Sequence, residues 1–214
     1  MSTATLTVPT SRTREGIVAV ALTLGSLAVA IMLVWSPGLP NEDFSYADLA
    51  PVRDTAWAAL LVDGLGFAVA GAALALAVCM LTRARGAVWA NVGAVLTTIG
   101  GMAFFAAEFA FGTFSWYATA LPADSGTQLI TYVHDNSGHV LGVQAASFVA
   151  YNLGVLLMCV ALWRARAVPR WLPVAIAVLT LAQFAMPSGL GRVEEAVTML
   201  SFVPIGWYLM RGLP

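Results

Sequence analysis

Lysine is absent from this chain, and all ten of its basic residues are arginine. Charge of either sign is scarce: 10% of the 214 residues are charged, where soluble domains carry roughly a quarter. So little charge excludes a water-facing globular surface. The net charge of −1 and the lack of any loop that interleaves arginine with aromatic residues exclude a nucleic-acid-binding face as well. Cysteine occurs only as Cys79 and Cys159, without the Cys-x-x-Cys spacing of thiol redox or zinc chemistry. Each precedes an Arg-x-Arg segment by a few residues, and both are expected to be reduced packing thiols. Also missing are a nucleotide-binding glycine loop, a His-Glu-x-x-His zinc helix, a Gly-x-Ser-x-Gly nucleophile elbow and the Asp-Asp-x-x-Asp motif of soluble prenyl-diphosphate enzymes.

What the chain has in abundance is apolar sequence, 60% of all residues, with a mean hydropathy of +0.84. A bilayer span consumes about 20 residues. About six such spans with short loops therefore use nearly the whole length, and no separate soluble domain fits. Residues 1–15, polar and ending in Arg12, Arg14 and Glu15, read as a disordered cytoplasmic leader. Span 1 is expected over Gly16 to Trp35; it is longer than a signal-peptide core and is followed by Pro37, Gly38 and Pro40 rather than a cleavage site. An acidic loop, Asn41 to Asp54, leads to span 2 (Trp57 to Leu81). Span 3 follows over Val88 to Phe111, then a long loop from Gly112 to Gly138, span 4 (His139 to Trp163) and span 5 (Trp171 to Met186). Pro187 to Glu195 read as a short turn, span 6 ends at Met210, and residues 211–214 form a tail. The expected fold is thus all-α, a polytopic membrane helix bundle filling residues 16–210.

Arginine sets its orientation. Arg12, Arg14, Arg83, Arg85, Arg164, Arg166, Arg170 and Arg211 fall on one side of this arrangement and only Arg53 and Arg192 on the other, so both termini are expected inside and the protein in the cell membrane, multi-pass. Trp35, Trp57 and Trp116 fall at outer boundaries and Trp89, Trp163 and Trp171 at inner ones, as interfacial aromatics should. The segments Cys79 to Arg85 before Trp89 and Cys159 to Arg166 before Trp171 also parallel each other, as in a direct repeat of spans 2–3 and 4–5.

An ionisable side chain within a span costs about 2.5–3.5 kcal/mol and calls for an interior position and a partner. Asp63 and Glu108 are the two clear cases, and antiparallel spans bring them to similar depth. Gln144, Gln183, Glu194 and Glu195 fall toward the same outer end, with Arg53, His134, Asp135 and His139 just above. Phe104 and Phe111 stand at i−4 and i+3 from Glu108, on its own helical face. An acid among aromatics is desolvated, and a proton-bearing carboxyl is a candidate general acid. The competing reading makes Glu108 a packing residue hydrogen-bonded to Gln144 or to a backbone carbonyl. The segment His134 to His139 matches no metal-ligand spacing, and no cofactor or metal is expected.

The Gly100-Gly101 pair, the Arg-x-Arg turns and Val168-Pro-Arg-Trp171 make the chain similar to a group of uncharacterised actinobacterial six-span membrane proteins, a resemblance of architecture that implies no activity. With Asp63 and Glu108 as intramembrane acids and no soluble-cyclase motif, the chain also resembles the small integral-membrane terpene cyclases. That resemblance implies acid-initiated cyclisation or isomerisation of a lipophilic isoprenoid. Asp63 and Glu108 would be the catalytic acids; Phe104, Phe111, Trp116, Tyr117 and Tyr151 would line the substrate site, with His139, Gln144, Gln183 and Glu194 as its polar groups. Two further functions fit the same residues: a proton-coupled transporter or permeation subunit, and a non-catalytic lipid-binding accessory protein. In each the partners are the bilayer and a lipophilic small molecule or lipid.

Overall fold

The structure, a computed structural model, describes residues 10–34, 45–82, 85–139, 141–185 and 188–211. It is helical throughout, with no strand among the described residues. Among the described residues nine α-helices follow in order: α1 (Thr10–Val34), α2 (Tyr46–Leu49), α3 (Arg53–Leu81), α4 (Ala87–Ala120), α5 (Ala123–Asp135), α6 (Leu141–Ala165), α7 (Trp171–Ala182), α8 (Ser188–Leu200) and α9 (Val203–Arg211). Among these residues four segments are long and apolar enough to cross a membrane: Arg12–Val34, Tyr46–Leu81, Ala87–Ala120 and Gly142–Ala165.

The boundaries have local causes. Ser45 caps α2, accepting from the Asp48 N–H at 3.3 Å while its hydroxyl donates to the Asp48 carboxylate at 2.6 Å. A 3-10 turn over Ala50–Val52 then leads directly into α3. Gly86, at φ +91°, turns the chain from α3 into α4, a left-handed conformation that glycine adopts without strain. Pro122 drives Leu121 into extended geometry and ends α4.

Several expected boundaries shift. The helix expected to stop at Phe111 continues to Ala120, and the remainder of the Gly112–Gly138 loop holds a further helix, α5. Residues 10–15, assigned to the leader, begin α1; residues 1–9 lie outside the described residues, as do Trp35, Asn41 to Phe44, Met186 and Pro187. Most of the turn expected over Pro187 to Glu195 is the start of α8. The stretch expected to form a sixth span is two helices, because Pro204 has no N–H to offer the Leu200 carbonyl and the backbone turns at Ser201 and Phe202. α7 is 12 residues against 34 in α4, so the helices after the two Arg-x-Arg turns do not match as a repeat would require.

Helix packing forms a ring. α1 packs on α3, α3 on α4, α4 on α6, α6 on α7, α7 on α8, and α8 and α9 return to α1. Its tight arc is built on glycine. A Cβ on Gly25 would lie 2.7 Å from the Ala70 N, one on Gly64 3.0 Å from the Phe105 Cα, and one on Gly93 2.7 Å from the Gly154 O. Small residues allow such backbone approach, the packing mode of helices in lipid. Inside the ring sit Leu22, Phe67, Leu74, Tyr151, Met158, Met199 and Phe202. Its outside is equally apolar, with Ile17, Leu24, Leu65, Val69, Val95, Ile99, Val149 and Val178 exposed. Helices apolar all round are a mark of membrane spans.

Candidate functional site

Antiparallel α3 and α4 set residues 64 and 108 against each other: a Cβ on Gly64 would lie 3.0 Å from the Glu108 Cβ. A larger residue at 64 would push the Glu108 turn away. Asp63 and Glu108 therefore come to one level, as the spacing along the two spans predicts. From α6, the Gln144 amide donates to the Glu108 Oε1. Glu108 is 4% exposed, and its Oε2 is buried without a hydrogen-bond partner, as are Asp63 Oδ1 and Glu194 Oε2. The other Glu194 oxygen accepts from the Thr198 hydroxyl at 2.8 Å. Glu195, one position on, lies within electrostatic reach of Asp63, Glu108, Glu194 and Arg192.

This carboxyl set from α3, α4 and α8 thus centres on Glu195, with Arg192 acting on Asp63 and Glu195. The Gln144 contact is the one a packing role for Glu108 calls for. The three orphaned carboxyl oxygens are what packing leaves unexplained, since buried polar atoms are normally hydrogen-bonded.

Next to this set is a chain of rings. Phe104, one turn before Glu108, meets Phe67 in a tilted pair with centroids 4.6 Å apart and Phe148 in another at 6.2 Å. Phe67 meets Tyr151 edge-on at 5.3 Å, and Phe148 reaches Phe184 at 5.9 Å. The Tyr151 hydroxyl lies 4.0 Å from the Met199 sulfur, against α8, and it too feels the Glu195 carboxyl. Gly71 and Gly100 clear the space for Tyr151, their added Cβ atoms falling 2.8 Å from its ring and 2.6 Å from its backbone N.

The expected site residues separate into distinct places. Asp63, Glu108, Gln144 and Glu194 belong to the carboxyl set, and Phe104 and Tyr151 to the rings beside it. Phe111 is buried on α4. Gln183 is spent elsewhere, donating to the Asn152 Oδ1 at 2.7 Å and the Thr180 carbonyl at 2.9 Å. Trp116 and Tyr117 line a surface groove of about 530 Å³ with Asp54, Trp57, Ala58, Phe109 and Thr113. His134 and His139 are exposed, and no cluster of three or more His, Cys, Asp or Glu among the described residues is placed to hold a metal ion.

Comparison with known protein families, with curated proteins and with solved structures gives no match.

Sequence reasoning missed Phe67 and Phe148, because it looked for aromatics along the chain from Glu108 rather than across to α3 and α6. It noted Arg192 and Glu195 but, reading a turn there, could not see that i and i+3 place them on one helical face.

In the groove, the Trp116 indole N–H donates to the Asp54 carboxylate at 2.6 Å, the Arg53 guanidinium lies 5.3 Å from the Trp116 ring, and Tyr117 meets it edge-on at 5.2 Å. Trp116→Phe keeps the ring and loses the donor. It is expected to cost about 1 kcal/mol, the net worth of one such bond at a solvated site, read as a small drop in the thermal midpoint of detergent-solubilised protein.

Proposed function

We propose that the chain is a six-crossing protein of the cell membrane with both ends cytoplasmic, and that its carboxyl set protonates a lipophilic isoprenoid, as in the integral-membrane terpene cyclases it resembles. The closed ring, its apolar exterior and the arginines gathered at one end support the membrane placement. α8 and α9 together reach from Ser188 to Arg211, enough at 1.5 Å per residue to span the about 30 Å hydrocarbon layer despite their break. α7, 12 residues and so about 18 Å of helix, reaches only part of the way through that layer, and the proposed crossing is completed by the chain beyond it, which brings Arg192, Glu194 and Glu195 into the bundle from the outer side.

The single observation that carries the chemistry is the Glu108 carboxyl. Gln144 fixes one oxygen, and the other is buried, unpaired and one helical turn from Phe104. In this reading that carboxyl carries the proton to be transferred. Transfer of that proton to an alkene or epoxide of the substrate would leave a carbocation, which Phe67, Phe104, Phe148 and Tyr151 stabilise through their ring faces. Attack by a second double bond closes a ring, and loss of a proton to an ionised carboxylate of the set ends the reaction. Protons lost and gained balance, so no cofactor is needed.

A second reading has its own support. A discontinuous last crossing beside intramembrane acids is a feature of proton-coupled carriers, and here the break at Ser201–Phe202 adjoins the helix that carries Glu194 and Glu195.

Membranes containing the protein, incubated with farnesylated and geranylgeranylated substrates, are expected to yield a cyclised product of unchanged mass by mass spectrometry. Activity unchanged in both Glu108→Gln and Asp63→Asn would sink acid catalysis. Proton-driven uptake into liposomes without product formation would establish transport in its place.

A further inference from the structure

At the end of the ring away from the carboxyl set, the α3–α4 turn and the α6–α7 connection border an open pocket of about 430 Å³ lined by Arg85, Gly86, Trp163, Arg164, Arg166 and Arg170. The two segments are held together by backbone, since a Cβ on Gly86 would lie 2.6 Å from the Ala161 carbonyl oxygen. Four exposed arginines therefore line one pocket on a fixed frame. None forms an ion pair among the described residues, where the single ion pair is Arg53 with Asp54. The C-terminus of α6 offers about half a negative charge. That offsets a small part of four positive ones.

Two details indicate that the charge is aimed and not merely tolerated. Arg166 follows the last turn of α6 at φ +56°, its N–H closing on the Leu162 carbonyl at 3.0 Å. Glycine is the default residue for that left-handed position, and any other residue is strained there. Arginine at such a place points to a use for its side chain. Arg170 is oriented as well, its guanidinium 5.2 Å from the centre of the Trp163 ring. Planar guanidiniums in a cavity recognise phosphate oxygens in pairs of hydrogen bonds.

We propose that this pocket seats the phosphodiester headgroup of an anionic phospholipid from the adjoining leaflet. The choice of a lipid over free phosphate rests on the membrane placement above: Trp163 and Trp171 are exposed at this end, as interfacial tryptophans are, and apolar Val160, Val174 and Val178 are exposed farther along α6 and α7. The headgroup sits among the arginines while its acyl chains run along those helices.

The test uses the full chain, purified in a neutral maltoside detergent. Native mass spectrometry and thermal midpoints are recorded with phosphatidylglycerol, with phosphatidylcholine of the same acyl chains, and with inorganic phosphate. Phosphatidylglycerol is expected to bind and stabilise selectively. Arg166→Gly, which relieves the strained backbone while removing the side chain, should remain folded and bind it about tenfold more weakly, the scale of one charge-assisted contact. Arg170→Gln should do likewise, and Arg12→Gln with Arg14→Gln, which alters charge at the same end outside the pocket, should leave binding unchanged. Equal binding of the two lipids, equal stabilisation by free phosphate, or equal loss in the Arg12 and Arg14 control would each overturn the site. A carbonate wash of the membranes separates the two readings: protein released into the aqueous phase overturns the membrane placement, whereas retained protein without headgroup selectivity overturns this pocket alone.

Discussion

Glu108→Gln is expected to lower product formation by about 10²- to 10⁴-fold, the usual contribution of a general acid, with the fold retained. The substitution keeps the side-chain volume, and its carbonyl oxygen can still accept from the Gln144 amide, the contact that ties α4 to α6 at this level. The Oε2 position has no partner in the wild-type protein, so its replacement by an amide breaks no existing bond. Only the transferable proton is lost. Glu108→Ala would confuse the question, because it strands the Gln144 amide and opens a void beside Phe104. Glu108→Asp shortens the reach by one methylene and should retain partial activity. Initial rates on membranes matched for protein content are the measurement, and a Gln variant within about threefold of wild type, far short of that contribution, would remove Glu108 from the acid role.

Gly100→Val is expected to give a large loss of stability. A Cβ at position 100 would lie 2.6 Å from the Tyr151 N and 2.7 Å from the Ser147 O, both backbone atoms of α6, so no change of rotamer relieves the clash. The helices must separate, and the contacts of Tyr151 with Phe67 loosen with them. Overpacking of this kind costs about 3 kcal/mol or more, read as a sharp drop in yield and in thermal midpoint in detergent. Gly16→Val is the control, since a Cβ there meets nothing within 4 Å.

Much of the helical layout was legible because apolar runs of span length leave few alternatives. The first, second and fourth long helices lie where hydropathy puts them, within a few residues. The third ran past its expected end for a physical reason. Gly112 and the run of Ser and Thr after it read as loop, yet Gly112 faces Leu60 across the α3–α4 seam, and the Thr119 hydroxyl is satisfied by the Ser115 carbonyl of its own helix. The effective stop is Pro122, which holds Leu121 in extended geometry. The paired acids were legible for the same reason as the spans, since a carboxyl in an apolar run stands out and antiparallel helices fix its level. What could not be read was which rings would face them. Phe67 and Phe148 come from helices brought close by glycines, and glycine spacing alone does not say which pair of helices will meet.

The ring is also mechanically uneven. Its arc from α1 through α3 and α4 to α6 is stitched by close glycine contacts, whereas α7 has no glycine and leans on α6 and α8. That makes α7 the loose stave of the barrel, so backbone amide exchange should be fastest there and slowest in α3 and α4. A bulky guest could pass between the helices at that stave without the rest of the wall giving way.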